Sequence, residues 1–375
     1  MKKISILLLH LQHGGIEKQT VNLANTLCGH YSVELITVYS MGKKPAYPID
    51  PRVTVRYLID DKPNRAEFKA AVKKLNPIKI IKEGIRAAKI LYLKDTLMKK
   101  AIKSLDCDTV LSTRAEYALL LSKYAPEGVN TLTQEHLHND SEKYVSFVKK
   151  AFSNIDRLVV LCPWSGENFS GWLRDNKRIK ITEIPNILDT VPGESAALEG
   201  CRIVSAGRLH PVKNFSSLIR VFAKIKDRIP EASLTIVGGG EEEGKLREEI
   251  KALGLGGSVT LTGMVSADKV KEYMLSSDLY IMTSHTECFP MVLLEASSVG
   301  LPLISYDVPV GPRAIISDCE NGYLIPYADE DVMAEKAASL LTDRDTLRRF
   351  GKQAKAMSYN YTEEKILPLW KNILS

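Results

Sequence analysis

The sequence predicts an α/β protein of two doubly wound, Rossmann-like domains facing each other across a cleft, and three features predict it. The chain has 375 residues, too many for one ordinary α/β domain and enough for two. Short apolar runs alternate with helix-length amphipathic segments from end to end, the pattern of parallel strands covered on both faces. That alternation occurs twice, on either side of a polar, turn-rich stretch.

In the first half the expected strands are 4–9, 33–38, 53–57, 109–112, 130–133, 158–161 and 179–184. The first of them, with Lys2 and Lys3 ahead of it, has some features of a signal peptide. The apolar run is short, His10 and His13 follow at once, and no small-residue cleavage site appears, so it reads as a buried strand. Residues 189–200, with Pro192, Gly193 and Gly200, read as a hinge linker. The second set of strands is 202–205, 233–237, 259–262, 279–282, 302–305 and 322–325. The expected domains are therefore 1–188 and 201–357, with 358–375 as a C-terminal helix that could pack back on the first domain. No run approaches the roughly 20 apolar residues of a spanning helix.

Composition excludes disordered and fibrous classes: 45% of residues are hydrophobic and 26% charged. Charge is uneven. Residues 1–188 hold 30 Lys and Arg against 19 acids, and residues 189–375 hold 21 against 26. The basic half calls for an anionic partner such as a membrane surface, a phospholipid or a nucleic acid. Six cysteines (Cys28, Cys107, Cys162, Cys201, Cys288 and Cys319) lack paired spacing. Reduced thiols in a cytosol fit this better than a disulfide framework or a zinc site.

Three segments carry chemistry. Gly14 and Gly15 follow the first strand, where backbone can approach a ligand and the next helix aims its amides at phosphate. A plain chain reversal accounts for a glycine turn equally well. Gly207-Arg208-Leu209, with Lys213 close behind, puts two cations after the first strand of the second half. Fixed cations there stabilise a departing diphosphate without a metal; a solvated basic turn is the alternative. The most specific segment runs from Glu287 to Glu295, eight residues apart. Pro290 suits a first helical turn, and amides near Phe289, Pro290 and Met291 can meet phosphate oxygens. Glu295 falls within an otherwise apolar helix, where an acid needs a partner. A ribose diol would serve, with Glu287 reaching sugar hydroxyls; a structural salt bridge of Glu295 is the alternative.

At this point the whole chain resembles glycosyltransferase family 4, of GT-B fold. The match rests on Gly14-Gly15-Ile16-Glu17, on Gly207-Arg208-Leu209 with Lys213, and on the E-x7-E spacing of Glu287 and Glu295. Pro185-Asn186, the strand and glycine turn of 234–240, Gly263-Met264-Val265 and Asn321-Gly322 follow in the family's order. Cys288 stands where the family usually has glycine, and Ala314 where it usually has an acid. The resemblance implies a retaining, metal-independent enzyme that moves a hexose or N-acetylhexosamine from a nucleotide diphosphate sugar. UDP is the commonest nucleotide of the family. The acceptor would be lipid-linked or a surface glycan, as in capsule, O-antigen or cell-wall polysaccharide synthesis. No cofactor is expected, because the nucleotide sugar is a substrate.

By the same resemblance Arg208 and Lys213 bind the diphosphate, Glu295 the ribose, Glu287 the transferred sugar and backbone near Val265 the base. His136 meets donor sugar or phosphate. With His138 it also forms a pair of imidazoles that metal binding or general-base catalysis could use. Asp106-Cys107-Asp108 is a literal Asp-x-Asp but precedes a strand, so no metal role is assigned to it.

Residues 62–103 hold 13 Lys and Arg against three acids, interleaved with Ile78, Ile81, Ile85, Ile90 and Leu97. A basic amphipathic helix reads as a membrane-surface element, with Lys73, Lys74, Lys79, Lys82, Arg86 and Lys89 as the contacting cations. A solvated face is the plain alternative. Few aromatics and no known module argue against nucleic acid. The expected location is cytoplasmic, peripheral on the inner face of the cell membrane. Two rivals remain: a nucleotide-sugar epimerase of the same fold, which consumes donor without acceptor, and a non-catalytic, nucleotide-binding membrane scaffold.

Overall fold

A computed structural model describes residues 1–137 and 139–375, with Arg65 described in its backbone alone. The chain forms two compact units. The first comprises Met1–Leu161, Gly166–Ile184 and Trp370–Ser375, and the second Cys162–Ser165 and Pro185–Leu369.

The first unit is built on seven parallel strands, β1 (Lys3–Leu8), β2 (Ser32–Tyr39), β3 (Thr54–Ile59), β4 (Thr109–Ser112), β5 (Asn130–Gln134), β6 (Arg157–Val160) and β7 (Lys180–Glu183). Their order is β3-β2-β1-β4-β5-β6-β7. Helices α1 (Gly15–Leu27), α2 (Arg65–Lys73), α3 (Pro77–Lys103), α4 (Ala115–Tyr124), α5 (Glu142–Ala151) and α6 (Pro163–Trp172) connect them. Strands β1 and β4 are buried along nearly their whole length, as sheets covered on both faces require.

The second unit has six parallel strands, β8 (Arg202–Ala206), β9 (Ser233–Val237), β10 (Val259–Leu261), β11 (Leu279–Met282), β12 (Leu303–Tyr306) and β13 (Gly322–Ile325), in the order β10-β9-β8-β11-β12-β13. Its helices are α7 (Phe215–Arg228), α8 (Glu243–Ala252), α9 (Ala267–Leu275), α10 (Met291–Ser298), α11 (Pro312–Ile315), α12 (Glu330–Thr342) and α13 (Arg344–Ser358). Helix α14 (Glu363–Leu374) ends the chain, and its last turn belongs to the first unit, where Lys2 Nζ donates to Leu374 O at 3.3 Å.

Every strand expected from sequence is present, shifted by at most two residues at either end. Two segments differ from expectation. The stretch read as a hinge is bound along its second half to the second unit. Ala196 N–H donates to Val299 O at 2.8 Å, and Lys355 Nζ donates to Glu194 O and Ser195 Oγ at 2.6 and 2.8 Å. The basic segment is two helices and not one. Pro77 has no N–H and disfavours helix in the residue before it, so α2 stops and α3 begins afresh. Asn76 caps the new start, its side chain accepting from Lys79 N–H at 3.0 Å.

In open parallel sheets ligands bind beyond the carboxyl ends of the strands, where the winding direction reverses. That point lies between β1 and β4 in the first unit and between β8 and β11 in the second. The four helices that follow these strands, α1, α4, α7 and α10, all start without a side-chain cap hydrogen bond. Helices α2, α8 and α11 also start uncapped, while α3, α5, α9, α12 and α13 are capped by Asn76, Ser141, Ser266, Asp329 and Asp343. First-turn amides are therefore left for a ligand at both reversal points.

Candidate active site

The reversal point of the second unit gathers the residues singled out in its sequence. Strand β8 leads through Gly207 and Arg208 into the single 3₁₀ turn Pro211–Lys213, and Asn214 takes the left-handed conformation (φ 52°) before α7. Strand β11 leads into 283–290 and then α10. Backbone joins the two loops: His285 N–H donates to Val212 O at 2.8 Å, and Thr283 Oγ1 donates to Asn214 O at 3.0 Å. Lys213 Nζ lies 2.5 Å from Glu287 Oε1, which also accepts from Ser284 Oγ at 2.7 Å. Both side chains are largely buried. Arg208 is exposed and has no ion pair among the described residues.

Glu287 is held by its backbone as well. Its carbonyl accepts from Val310 and Gly311 N–H, each at 3.0 Å. A Cβ on Gly311 would come within 2.8 Å of the Cys288 carbonyl, so this crossing needs glycine. Phe289 and Pro290 are buried, and Met291 opens α10. Glu295 lies one turn further on, half-buried. The Tyr280 hydroxyl on β11 bonds both to Ala206 N–H and to Ala206 O. Its pKa is pushed well up, by burial first and also by the charges of Glu295 and Glu287. The two carboxylates thus act on one neighbourhood beside the end of β8. Ala314, in the departure noted from sequence, keeps its carbonyl bonded to Tyr361 OH at 2.5 Å.

A third loop closes this side. Gly238 (φ 137°) follows β9, and a Cβ there would stand 2.0 Å from Gly207 O. Gly238 bridges to Gly263 (φ 69°) after β10, and Val265 follows, part-buried.

In the first unit Gly14 and Gly15 open α1, but the need for Gly14 is internal. A Cβ there would lie 2.0 Å from Glu17 Oε2, whereas one on Gly15 would meet nothing within 4 Å. A carboxylate of its own helix therefore occupies the space beside Gly14. Buried Glu17 pairs with Arg114 Nη2 at 3.3 Å and lies 3.7 Å from His10 Nδ1. Tyr47 OH accepts from Gly14 N–H and donates to Gly14 O.

His136 follows β5. Its backbone N–H donates to Glu135 Oε1 at 3.0 Å, and its Nε2 is sealed from solvent with no hydrogen-bond partner. Burial, and then the Arg114 charge, lower its pKa to about 4. The imidazole is neutral at physiological pH. His138 lies outside the described residues. Arg114, whose Nε is also buried without a partner, was not singled out in the sequence. Its place just after β4 was the available signal, since the carboxyl ends of switch-point strands face ligands.

A pH prediction follows from His136. An unfolded chain's imidazole takes up a proton below about pH 6.5, while the folded one does so only near pH 4. His136 therefore lowers stability as pH falls through that window and has no such effect above it. Glu135 carries the opposite slope, because burial raises its pKa, so the two must be separated by substitution. Relative to wild type, His136→Gln is expected to gain about 1–2 kcal/mol between pH 7.5 and pH 4.5 in urea denaturation, allowing for partial solvent access. An unchanged difference at the two pH values would refute a neutral buried imidazole.

The remaining residues lie elsewhere. Lys3 takes both acids of Asp106-Cys107-Asp108, its Nζ meeting Asp106 at 2.5 Å and its N–H meeting Asp108 at 2.7 Å. These contacts are at the amino ends of β1 and β4, away from the ligand end. Among the described residues no group of three or more His, Cys, Asp or Glu is placed to hold a metal ion. Lys73, Lys74, Lys79, Lys82 and Lys89 are exposed on and between α2 and α3. Arg86 differs: it pairs with Asp61 at 2.6 Å and lies 3.8 Å from Glu83, so part of its charge is spent within the unit. No helix among the described residues is long and apolar enough to cross a membrane.

Comparison with known proteins agrees with the fold. Residues 195–357 match the family model "Glycosyl transferases group 1". An exopolysaccharide phosphotransferase of Streptomyces coelicolor is 30% identical over 378 residues; that match covers 96% of this chain but only 39% of the relative. The amylovoran biosynthesis glycosyltransferase AmsD of Erwinia amylovora is 27% identical, with 100% of both chains covered. Among solved structures, a TarM variant of S. aureus, in complex with fondaparinux, alpha-GlcNAc-glycerol and UDP, superposes with a TM-score of 0.79. It is 16% identical, with all of both chains covered, and on that likeness it speaks for the fold. Residues 195–357 thus resemble the group 1 glycosyltransferases, and the chain has the GT-B fold of two Rossmann-like domains.

Proposed function

We propose that this enzyme is a retaining, metal-independent transferase that moves a hexose or N-acetylhexosamine from a UDP-sugar to a lipid-linked or surface-glycan acceptor. It would work at the cytoplasmic face of an anionic membrane. The observation that carries the reading is the Lys213–Glu287 pair beside unpaired Arg208 at the β8/β11 reversal point. Two cations and the uncapped starts of α7 and α10 suit a diphosphate, whose charge grows as the glycosidic bond breaks. TarM was solved with UDP and an alpha-glycoside, which is in keeping with a UDP donor and retention.

In the proposed reaction the bond from sugar C1 to the diphosphate oxygen breaks, and UDP leaves with the electron pair. The acceptor hydroxyl oxygen bonds to C1 from the same face, and its proton passes to the departing phosphate. Arg208 and Lys213 hold the diphosphate, Glu295 the ribose and Glu287 the sugar hydroxyls. The amides at 289–291 meet phosphate oxygens, and backbone at Val265 meets the base. In the first unit Gly14 and Gly15 present the start of α1 to phosphate. Neutral His136 serves as a hydrogen-bond partner of the substrate and does not supply a cation.

The test is a panel of UDP- and GDP-sugars incubated with the full chain and membranes of the source organism, with EDTA in excess. Transfer from a UDP-sugar with the anomeric configuration kept is expected. Donor isomerised without acceptor would identify an epimerase, nucleotide bound without turnover a scaffold, and turnover abolished by EDTA a metal-dependent enzyme; each outcome overturns the proposal.

A further inference from the structure

The corner where α2 gives way to α3 turns apolar side chains outward. Leu75 is 83% exposed, Ile78 79%, Ile81 64% and Ile85 67%, with Val72 and Tyr92 also exposed. Further along α3, Ile90, Met98 and Ile102 are buried in the core of the first unit. One helix thus has two apolar surfaces, and only the second is used by the fold. Ile78, Ile81 and Ile85 recur at helical spacing and form one stripe. The other side of the helix is tied down: Arg86 bonds to Asp61, and Asn64 Nδ2 donates to Glu83 O at 2.8 Å and to its carboxylate at 2.7 Å. The stripe is therefore directed away from the unit that carries it.

Leu75 is a second, independent sign. It occupies the tip between the helices with φ 50°, a left-handed conformation that suits glycine or asparagine and disfavours leucine. Neither local conformation nor packing within the unit rewards a leucine there. Charge narrows the choice of partner. Between Glu67 and Glu83 there is no acid, and Lys69, Lys73, Lys74, Lys79 and Lys82 surround the stripe. All five are exposed. Lysine can lay its stem along apolar surface while keeping its ammonium in the polar layer.

We propose that this corner is a wedge that inserts Leu75, Ile78, Ile81 and Ile85 into the acyl boundary of an anionic bilayer, with the lysines seated among the headgroups. This deepens the membrane reading above and rests on it for its purpose. It replaces a purely electrostatic contact with insertion, and the two respond differently to salt. Charge attraction is screened within about 10 Å at 0.1 M salt, whereas apolar burial is not. A second copy of this chain is the competing occupant.

The test is flotation of the full chain with phosphatidylglycerol-containing vesicles and with phosphatidylcholine vesicles, at 0.05 and 0.5 M NaCl. Wild type is expected to bind the anionic vesicles and to keep part of that binding at high salt. Ile78→Asp/Ile81→Asp should lose about 100-fold in partitioning at both salts, on the basis of about tenfold or more for each aliphatic side chain. Lys79→Ser/Lys82→Ser should lose several-fold at low salt only. Ile81→Trp should show blue-shifted emission on anionic vesicles. UDP binding by Ile78→Asp/Ile81→Asp should be unchanged, which separates failure of the wedge from failure of the transferase reading, and an unchanged urea-denaturation midpoint of the first unit should show that the variant is folded. Wild-type partitioning by that variant, or salt abolishing all binding, would overturn insertion. A self-associated wild type that the double variant renders monomeric would assign the face to a second copy.

Discussion

Replacing Lys213 with alanine is expected to lower kcat by about 10²–10³-fold, the cost usually seen when one preorganised donor to developing negative charge is removed. A second consequence follows from its partner. Glu287 Oε1 lies 2.5 Å from Lys213 Nζ in a largely buried setting. Without the ammonium, that carboxylate would remain as an uncompensated charge beside the proposed diphosphate position, where it costs more than the missing contact alone. Lys213→Ala should therefore bind UDP much more weakly than wild type. Lys213→Ala/Glu287→Gln should recover most of that affinity in calorimetry while kcat stays low. Arg208→Ala should behave differently, because Arg208 has no ion pair to leave behind, and Glu287→Gln should not rescue it. Full turnover by Lys213→Ala would remove the diphosphate from this site, and no recovery in the double variant would show that Glu287 does not repel it.

How much of this was legible follows from the range of each interaction. The strands could be read because a parallel strand buried on both faces must be apolar throughout, a property of a few consecutive residues. Glu287 and Glu295 could be read because one loop and one helix turn separate them. The Lys213–Glu287 pair spans 74 residues and exists only because β8 and β11 are neighbours. The same holds for Arg114 and Glu17, 97 residues apart, and for Asp278, which accepts from Gly200 N–H, Arg202 N–H and Arg202 Nε at the start of β8. No local pattern marks such partners. Gly14 shows the same limit from the other side. A glycine after a strand suggested space for a ligand, and only coordinates reveal that Glu17 fills that space. In α3 the apolar residues were correctly seen as helical, but which of them face inward depends on where β3 and α4 lie.

The glycines after β9 give the second large expectation, because three neighbours with one side chain in common should behave in two ways. At Gly238 a Cβ would stand 2.0 Å from Gly207 O, and φ is 137°, where an L-residue is strained in any case. At Gly240 it would stand 2.3 Å from Leu209 O and 2.8 Å from Leu209 N. Both obstacles are backbone, and that backbone is the loop that carries Arg208. It cannot retreat cheaply, because Gly207 N–H donates to Val237 O and Leu209 N–H donates to Gly239 O. Gly238→Ala and Gly240→Ala should each cost about 3–5 kcal/mol, the range of severe core and backbone lesions, and should weaken UDP binding by displacing Arg208. Between them, a Cβ on Gly239 would meet Met264 Cγ at 3.0 Å, part of a flexible and largely exposed side chain that can swing aside. Gly239→Ala should stay within about 1 kcal/mol of wild type and keep its UDP affinity. Urea denaturation and calorimetry on the three variants check the contrast. Equal losses at all three positions would mean that the turn is governed by general flexibility, and that the close approach of the β9 loop to Gly207 and Leu209 does not position the arginine.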